Sequence, residues 1–251
     1  MNYNKIFTKN IKNSFSNIGQ SGNLKVSKVM NLLQDIAVEY SFKLKISSMD
    51  LAPQKIFWVI SRYQIEINNS AKLNEDLSMS VWRSNHKNLY DLRWFKIETA
   101  DKQEIANAVG AWVIIDKTTG YPRHLNKFMT KEMLIENRVD VKIFFQNLKI
   151  IDNADIQEVF KIRINDLDFN KHVNNSAYVE WAIEALPESI LMNYQPWKIN
   201  VTYLKESFYP GKILSKAQTN TFTLNSTTHH SIVSENKNLE LARIQIIWKP
   251  I

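Results

Sequence analysis

The stretch Asp166-Leu167-Asp168-Phe169-Asn170-Lys171-His172-Val173-Asn174-Asn175-Ser176-Ala177-Tyr178-Val179-Glu180-Trp181 crowds a carboxylate, a carboxamide and an imidazole into alternate positions, Asp168, Asn170 and His172, just ahead of a helical pattern. Alternate residues of an extended segment point to one side, so the spacing predicts these three side chains together. The Asn174-Asn175 pair offers an N-cap. Tyr178, Trp181, Ala182 and Ala185 then keep helical spacing as far as Pro187. Polar groups at a helix start share that region with unpaired backbone N–H groups and the positive end of the helix dipole. Such a place suits a carbonyl oxygen or a developing negative charge. The same residues also suit a plain turn and cap, because Asx side chains before a helix bond their own backbone. The stretch alone leaves both readings open.

Outward from it, the helix is followed by strand-like runs at 197–206, 213–223, 227–235 and 239–249. In the first half Val26, Val29, Met30, Leu33, Ile36 and Tyr40 share one helical face, followed by strand-like runs at 57–67, 77–84, 89–99 and 103–115. A helix and four strands thus occur twice, the mark of an internal duplication. Local matches point the same way: Trp58-Val59-Ile60 with Trp197-Lys198-Ile199, and Glu104-Ile105-Ala106 then Trp112 with Glu240-Leu241-Ala242 then Trp248. A long helix laid on a curved antiparallel sheet buries both elements, which predicts an α+β fold of two such units, with edge strands that pairing can hide. The expected boundaries are 1–126 for the first repeat, 127–156 for a connection that begins with helix-forming residues at 131–136, and 157–251 for the second repeat. Arg123-His124 follows the turn-rich Thr119-Gly120-Tyr121-Pro122 and reads as surface loop. Ahead of the first helix, Ser21-Gly22-Asn23-Leu24-Lys25 has neither the Asp nor the His, so one site per chain is expected, in the second repeat.

Composition narrows the function. With 44% hydrophobic and 11% aromatic residues, the 251-residue chain has the material for packed cores and is not of disordered type. It has no cysteine, which removes disulfides, thiolate metal sites and a cysteine nucleophile, and fits a reducing, cytoplasmic setting. Residues 1–20 mix Lys5, Lys9 and Lys12 with Ile6, Phe7, Ile11 and Phe15 and contain no arginine, unlike a secretory or transit leader. The longest uniformly apolar stretch, 108–115, is far short of the roughly 20 residues of a bilayer span, so a soluble protein with no membrane partner is expected. A formal charge of +7 favours anionic partners, but the lysines are scattered, with no basic run or RNA-binding motif, so nucleic acid is not expected. Five glycines and six prolines leave no flexible linker and no phosphate-cradling loop. Adjacent His229 and His230 on a strand would face opposite sides, so no metal is assigned, and no cofactor.

The run 166–175, continued by Tyr178, Trp181, Glu184 and Pro187, resembles the acyl-acyl-carrier-protein thioesterases, fatty-acid-releasing enzymes of plastids and bacteria. The likeness extends through Leu32-Leu33-Gln34-Asp35-Ile36-Ala37 and Val201-Thr202-Tyr203-Leu204-Lys205-Glu206-Ser207. It implies two tandem hotdog repeats, each a long helix wrapped by a curved antiparallel sheet. It also implies hydrolysis of fatty acyl-acyl carrier protein, whose acyl chain is linked through phosphopantetheine. The implied catalytic set is Asp168, Asn170 and His172 with Glu206, the last on the strand after the helix. The first repeat would shape the acyl tunnel, with Met30, Leu33, Trp58 and Ile60 as candidate lining residues, although core packing is the commoner role for each such residue taken singly. Many plant members have a cysteine after the Glu; here it is Ser207, so a thiolate mechanism is excluded, and the chain's start almost at the first repeat looks bacterial. Carrier proteins are acidic, which gives the +7 charge a use in speeding encounter. Hotdog proteins usually pair their sheets, which leaves two arrangements open, a homodimer or pairing within the tandem repeat of one chain.

Thioester hydrolysis needs an activated water or a side-chain nucleophile and a stabilised oxyanion. Glu206 suits the base or nucleophile, His172 and Asn170 would orient water or thioester, and Asp168 would position its neighbours. Backbone N–H groups near Asn174 would hold the oxyanion, each donor worth about 3 kcal/mol. Alternatively Asp168 is the nucleophile, forming a mixed anhydride, with Glu206 serving His172. Ser207 has no base of its own and reads as packing or hydrogen bonding. An acyl-coenzyme A thioesterase of the same fold and a non-catalytic acyl-binding module are the competing functions.

Overall fold

The computed structural model describes residues 6–19, 22–130, 146–219 and 226–251; the helix-forming start of the connection, 131–136, lies outside them. The chain divides into two units, Met1–Phe145 and Gln146–Ile251, at a point inside the 127–156 segment.

In the first unit a strand β1 (Phe7–Lys12) leads through a 3-10 turn (Phe15–Asn17) to helix α1 (Val26–Lys43). Of the helical face read from the sequence, Val29, Met30, Leu33, Ile36 and Tyr40 are inside, joined by Ala37, while Val26 at the helix start is half-buried. A reciprocal Ser47–Asp50 capping box starts the short α2 (Ser48–Leu51). Five strands follow: β2 (Ile56–Ile67), β3 (Asp76–His86), β4 (Tyr90–Thr99), β5 (Glu104–Asp116) and the two-residue β6 (Pro122–Arg123). The antiparallel order is β1-β3-β4-β5-β2, with β6 on β5, and α1 packs on β3. Inside this unit Asp91 takes Arg83 Nε at 2.7 Å and Arg93 Nε at 3.0 Å, and Arg93 Nη1 donates to Ala37 O at 3.1 Å, all three side chains being buried. Buried charges persist only when paired in this way, and no periodicity in the sequence announces the cluster.

The second unit repeats the plan: β7 (Ile156–Lys161), a 3-10 turn (Ile164–Asp166), α3 (Asn175–Glu184), the short α4 (Glu188–Leu191), then β8 (Tyr194–Tyr203), β9 (Lys212–Thr219), β10 (Thr227–Ser234) and β11 (Leu239–Pro250). Its antiparallel order, β7-β9-β10-β11-β8, is that of the first unit, and α3 packs on β9, β10 and β11.

The duplication goes deeper than helix plus four strands. Each repeat begins with a strand that the sequence pattern hides: β1 and β7 have six residues each, with only the first and fifth half-buried. Edge strands this exposed carry little apolar alternation. Even the bulge is repeated. Ser61 is extruded between the pairs Ile60↔Trp112 and Arg62↔Ala111, and Trp197 between Pro196↔Trp248 and Lys198↔Ile247. Trp112 and Trp248 therefore occupy equivalent places, as the Glu104 and Glu240 match requires, but Ser61 is the counterpart of Trp197. The likeness of Trp58-Val59-Ile60 to Trp197-Lys198-Ile199 is out of register and coincidental. No helix among the described residues is long and apolar enough to cross a membrane.

Candidate active site

The residues before α3 form a closed loop, not the extended segment that alternation predicts. Leu167 bridges Val173, Asp168 N–H donates to His172 O at 2.7 Å, and Lys171 N–H donates to Asp168 O at 3.0 Å with Lys171 in the left-handed region (φ 66°). Asp168 Oδ1 accepts the N–H groups of Asn170 and His172 at 2.8 and 3.0 Å, an Asx arrangement that spends half of the carboxylate on the loop itself. Asn170 is exposed, and its carboxamide has no hydrogen-bond partner among the described residues. Asn174 caps α3 as its position suggests, accepting Ser176 N–H at 3.1 Å. Its own N–H goes to the carbonyl of Asp166, whose buried carboxylate is held by the backbone N–H and guanidinium of Arg163, both at 2.7 Å.

The first repeat has the same loop without the chemistry. Ile18 bridges Leu24, Gly19 N–H donates to Asn23 O at 2.8 Å, Gly22 N–H donates to Gly19 O at 3.0 Å, and Lys25 N–H donates to Asn17 O at 2.9 Å. Gly19 stands for Asp168, Asn23 for His172, and Gly22 (φ 78°) for Lys171. One backbone framework thus serves both repeats, and only the second carries the Asp and His.

Glu206 is not on a strand. β8 stops at Tyr203, and the N–H groups of Leu204 and Lys205 both turn to Leu241 O, at 2.8 and 3.1 Å, as the chain leaves the ladder. The departing segment docks on the loop: Val173 N–H donates to Ser207 O at 3.1 Å, and His172 bridges Phe208. That brings Glu206 Oε1 to 3.3 Å from His172 Nδ1, with the imidazole edge-on to the Phe208 ring at 4.9 Å. The two side chains are 30% and 43% exposed, so water reaches both. Behind them the Tyr178 hydroxyl, on α3, lies 2.9 Å from Ser207 Oγ and accepts Ser207 N–H at 3.1 Å. Ser207 is buried and hydrogen-bonded, in keeping with a packing role.

The four proposed polar residues therefore separate by geometry. His172 and Glu206 meet, Asp168 builds the loop that carries His172, and Asn170 is exposed on that loop. Tyr178 escapes the sequence reading because an aromatic on the buried face of a helix looks like plain core. Of the residues assigned to an acyl tunnel, Met30 and Leu33 on α1 and Ile60 on β2 are buried in the first unit. Trp58 is half-buried, with Nε1–H donating to Ile46 O at 2.7 Å. On β10, His230 is buried against Thr228 Oγ1 at 2.7 Å while His229 is half-buried, as alternation requires. No three His, Asp or Glu side chains among the described residues form a metal-holding group.

Family models for the N-terminal and C-terminal domains of acyl-ACP thioesterases match residues 4–133 and 150–250. The chain belongs to the acyl-ACP thioesterase family. Among relatives, the chloroplastic palmitoyl-acyl carrier protein thioesterase of Gossypium hirsutum is 22% identical over 222 residues, 80% of this chain and 52% of that protein. The chain thus spans about half the length of that plant relative. Among solved structures, an acyl-ACP thioesterase from Bacteroides thetaiotaomicron superposes with a TM-score of 0.86 at 19% identity, covering 99% of this chain and 100% of that one. The 12:0-ACP thioesterase of Umbellularia californica gives 0.85 at 19% identity, covering 98% of each chain. The fold of this family member is accordingly two tandem hotdog repeats, each with a helix wrapped by an antiparallel sheet.

Proposed function

We propose that the chain hydrolyses the thioester that joins a fatty acyl chain to acyl carrier protein. The observation that carries this reading is the contact of Glu206 with His172 at 3.3 Å, on a loop docked against a helix start. Membership of the family supports it, as does the thioesterase activity of the chloroplastic relative. In the reaction Glu206 takes a proton from water as the water oxygen bonds to the thioester carbonyl carbon, while His172 orients the water. The carbonyl electrons move to oxygen, then return to expel the thiolate, which takes the proton from Glu206 and restores its carboxylate; the products are a free fatty acid and the carrier thiol. Asn170, exposed on the same loop, would orient the thioester. The N–H groups of Asn174, Ser176 and Ala177 are already engaged, which leaves Asn175 N–H at this helix start to receive the oxyanion. Asp168 is the weaker choice of nucleophile, because its Oδ1 already accepts two backbone N–H groups. Met30, Leu33, Trp58 and Ile60 are proposed to take the acyl chain in the interior of the first repeat.

The partner is proposed to be the acidic carrier protein itself, drawn by the +7 charge of the chain, and the setting a reducing cytoplasm. Release rates for one acyl chain carried on carrier protein and on coenzyme A, compared at low and at moderate salt, test this. The carrier-protein ester is expected to react faster and to lose its advantage as salt rises. Equal rates without salt sensitivity would move the substrate to coenzyme A.

A further inference from the structure

The contact between His172 and Glu206 lies at the surface, where such contacts are worth little and hold no fixed geometry by themselves. Glu206 also sits on irregular backbone past the end of β8. Something else must hold its carboxylate at the imidazole. The residue next to it is fastened twice: Ser207 accepts Val173 N–H through its carbonyl at 3.1 Å and meets the Tyr178 hydroxyl through both Oγ, at 2.9 Å, and N–H, at 3.1 Å. On either side of Ser207, Glu206 and Phe208 both touch His172. Tyr178 is 2% exposed, set edge-on to Trp181 at 5.6 Å and Tyr203 at 5.8 Å, so the fastening is rigid and dry. Burial raises its pKa, the contacts with Ser207 opposing, so the phenol keeps its proton and can donate.

The first repeat shows that the fold does not need this pair. There the N–H groups of Asn68 and Asn69 turn to Ile105 O at 2.9 and 3.3 Å, as those of Leu204 and Lys205 turn to Leu241 O. Ser70 and Ala71 therefore stand for Glu206 and Ser207. Counting from the caps Lys25 and Asn174, Val29 stands for Tyr178. Val29 and Ala71 are 0% and 1% exposed, so both equivalent positions are buried and apolar where no His or Glu has to be placed.

We propose that Tyr178, acting through Ser207, is a positioning residue that holds Glu206 at His172, an inference that rests on the hydrolytic reading above. The test is steady-state turnover of an acyl-carrier-protein thioester by Tyr178→Phe, Ser207→Ala, Glu206→Gln and the double variant Tyr178→Phe/Glu206→Gln, each checked for folding by thermal melting. Tyr178→Phe is expected to lower kcat by about ten- to a hundredfold with KM within about twofold, and to add nothing to the loss in Glu206→Gln. Ser207→Ala keeps one of the two bonds and is expected to fall between wild type and Tyr178→Phe; it serves as the second probe should the phenylalanine variant melt early. Ser207→Thr, which retains the hydroxyl, is expected to recover most of the turnover lost in Ser207→Ala. An inactive Glu206→Gln beside a fully active Tyr178→Phe, or an equal further loss on the Glu206→Gln background, overturns the inference alone. Full turnover by Glu206→Gln overturns the hydrolytic reading and the inference with it.

Discussion

Asp168 supports its loop with one carboxylate oxygen, which takes the N–H groups of Asn170 and His172. An amide oxygen accepts the same two bonds at a cost of about 1 kcal/mol. Asp168→Asn is therefore expected to keep the loop and to turn over within about tenfold of wild type, measured as fatty acid release. A variant as inactive as Glu206→Gln would instead make Asp168 the nucleophile. At this scale the sequence reveals the cap Asn174 and the crowding of polar groups, because caps and turns are local. The meeting of His172 with Glu206 is not local: it depends on a segment leaving β8 and docking on a loop, and only the family resemblance pointed to it. Tyr178 and Ser207 read singly as a core aromatic and a small polar residue; their bond is visible only in three dimensions.

Helices and inner strands were legible because burial imposes their periods. α1 buries the face its spacing predicts, and β2 to β5 and β8 to β11 all begin within three residues of the predicted runs. Edge strands escape that logic, as β1 and β7 do, and a three-residue likeness between β2 and β8 misled because a bulge sets the true register. On β10, His230 has the clearest linkage to pH. Burial, with His229 beside it, pushes its pKa down to about 3, against about 6.5 in an unfolded chain. The unfolded state then binds the extra proton, so stability is whole above pH 6.5 and falls as pH drops toward 3, by up to about 1.4 kcal/mol per unit. His230→Gln keeps a partner for Thr228 without the titration and is expected to flatten the decline in urea midpoint between pH 6 and pH 4. An unchanged slope would place the acid sensitivity elsewhere.

Across the whole chain, one framework of strand, turn, loop and helix is used twice with different side chains. The Gly19 and Asn23 loop and the buried, apolar Val29 and Ala71 of the first repeat show what the framework tolerates, and Asp168, His172, Tyr178, Glu206 and Ser207 show what the second repeat adds. Composition fixed the broad class, and the repeated pattern fixed the duplication, since both depend on sums over many residues. The direct measurement is single-turnover release of free fatty acid from an acyl-carrier-protein thioester by wild type and by Glu206→Gln, both shown to be folded. Wild type is expected to release the acid, and Glu206→Gln to be slower by about a hundred- to ten-thousandfold; no release by wild type, or a variant within about twofold of it, would contradict a hydrolytic site built on His172 and Glu206.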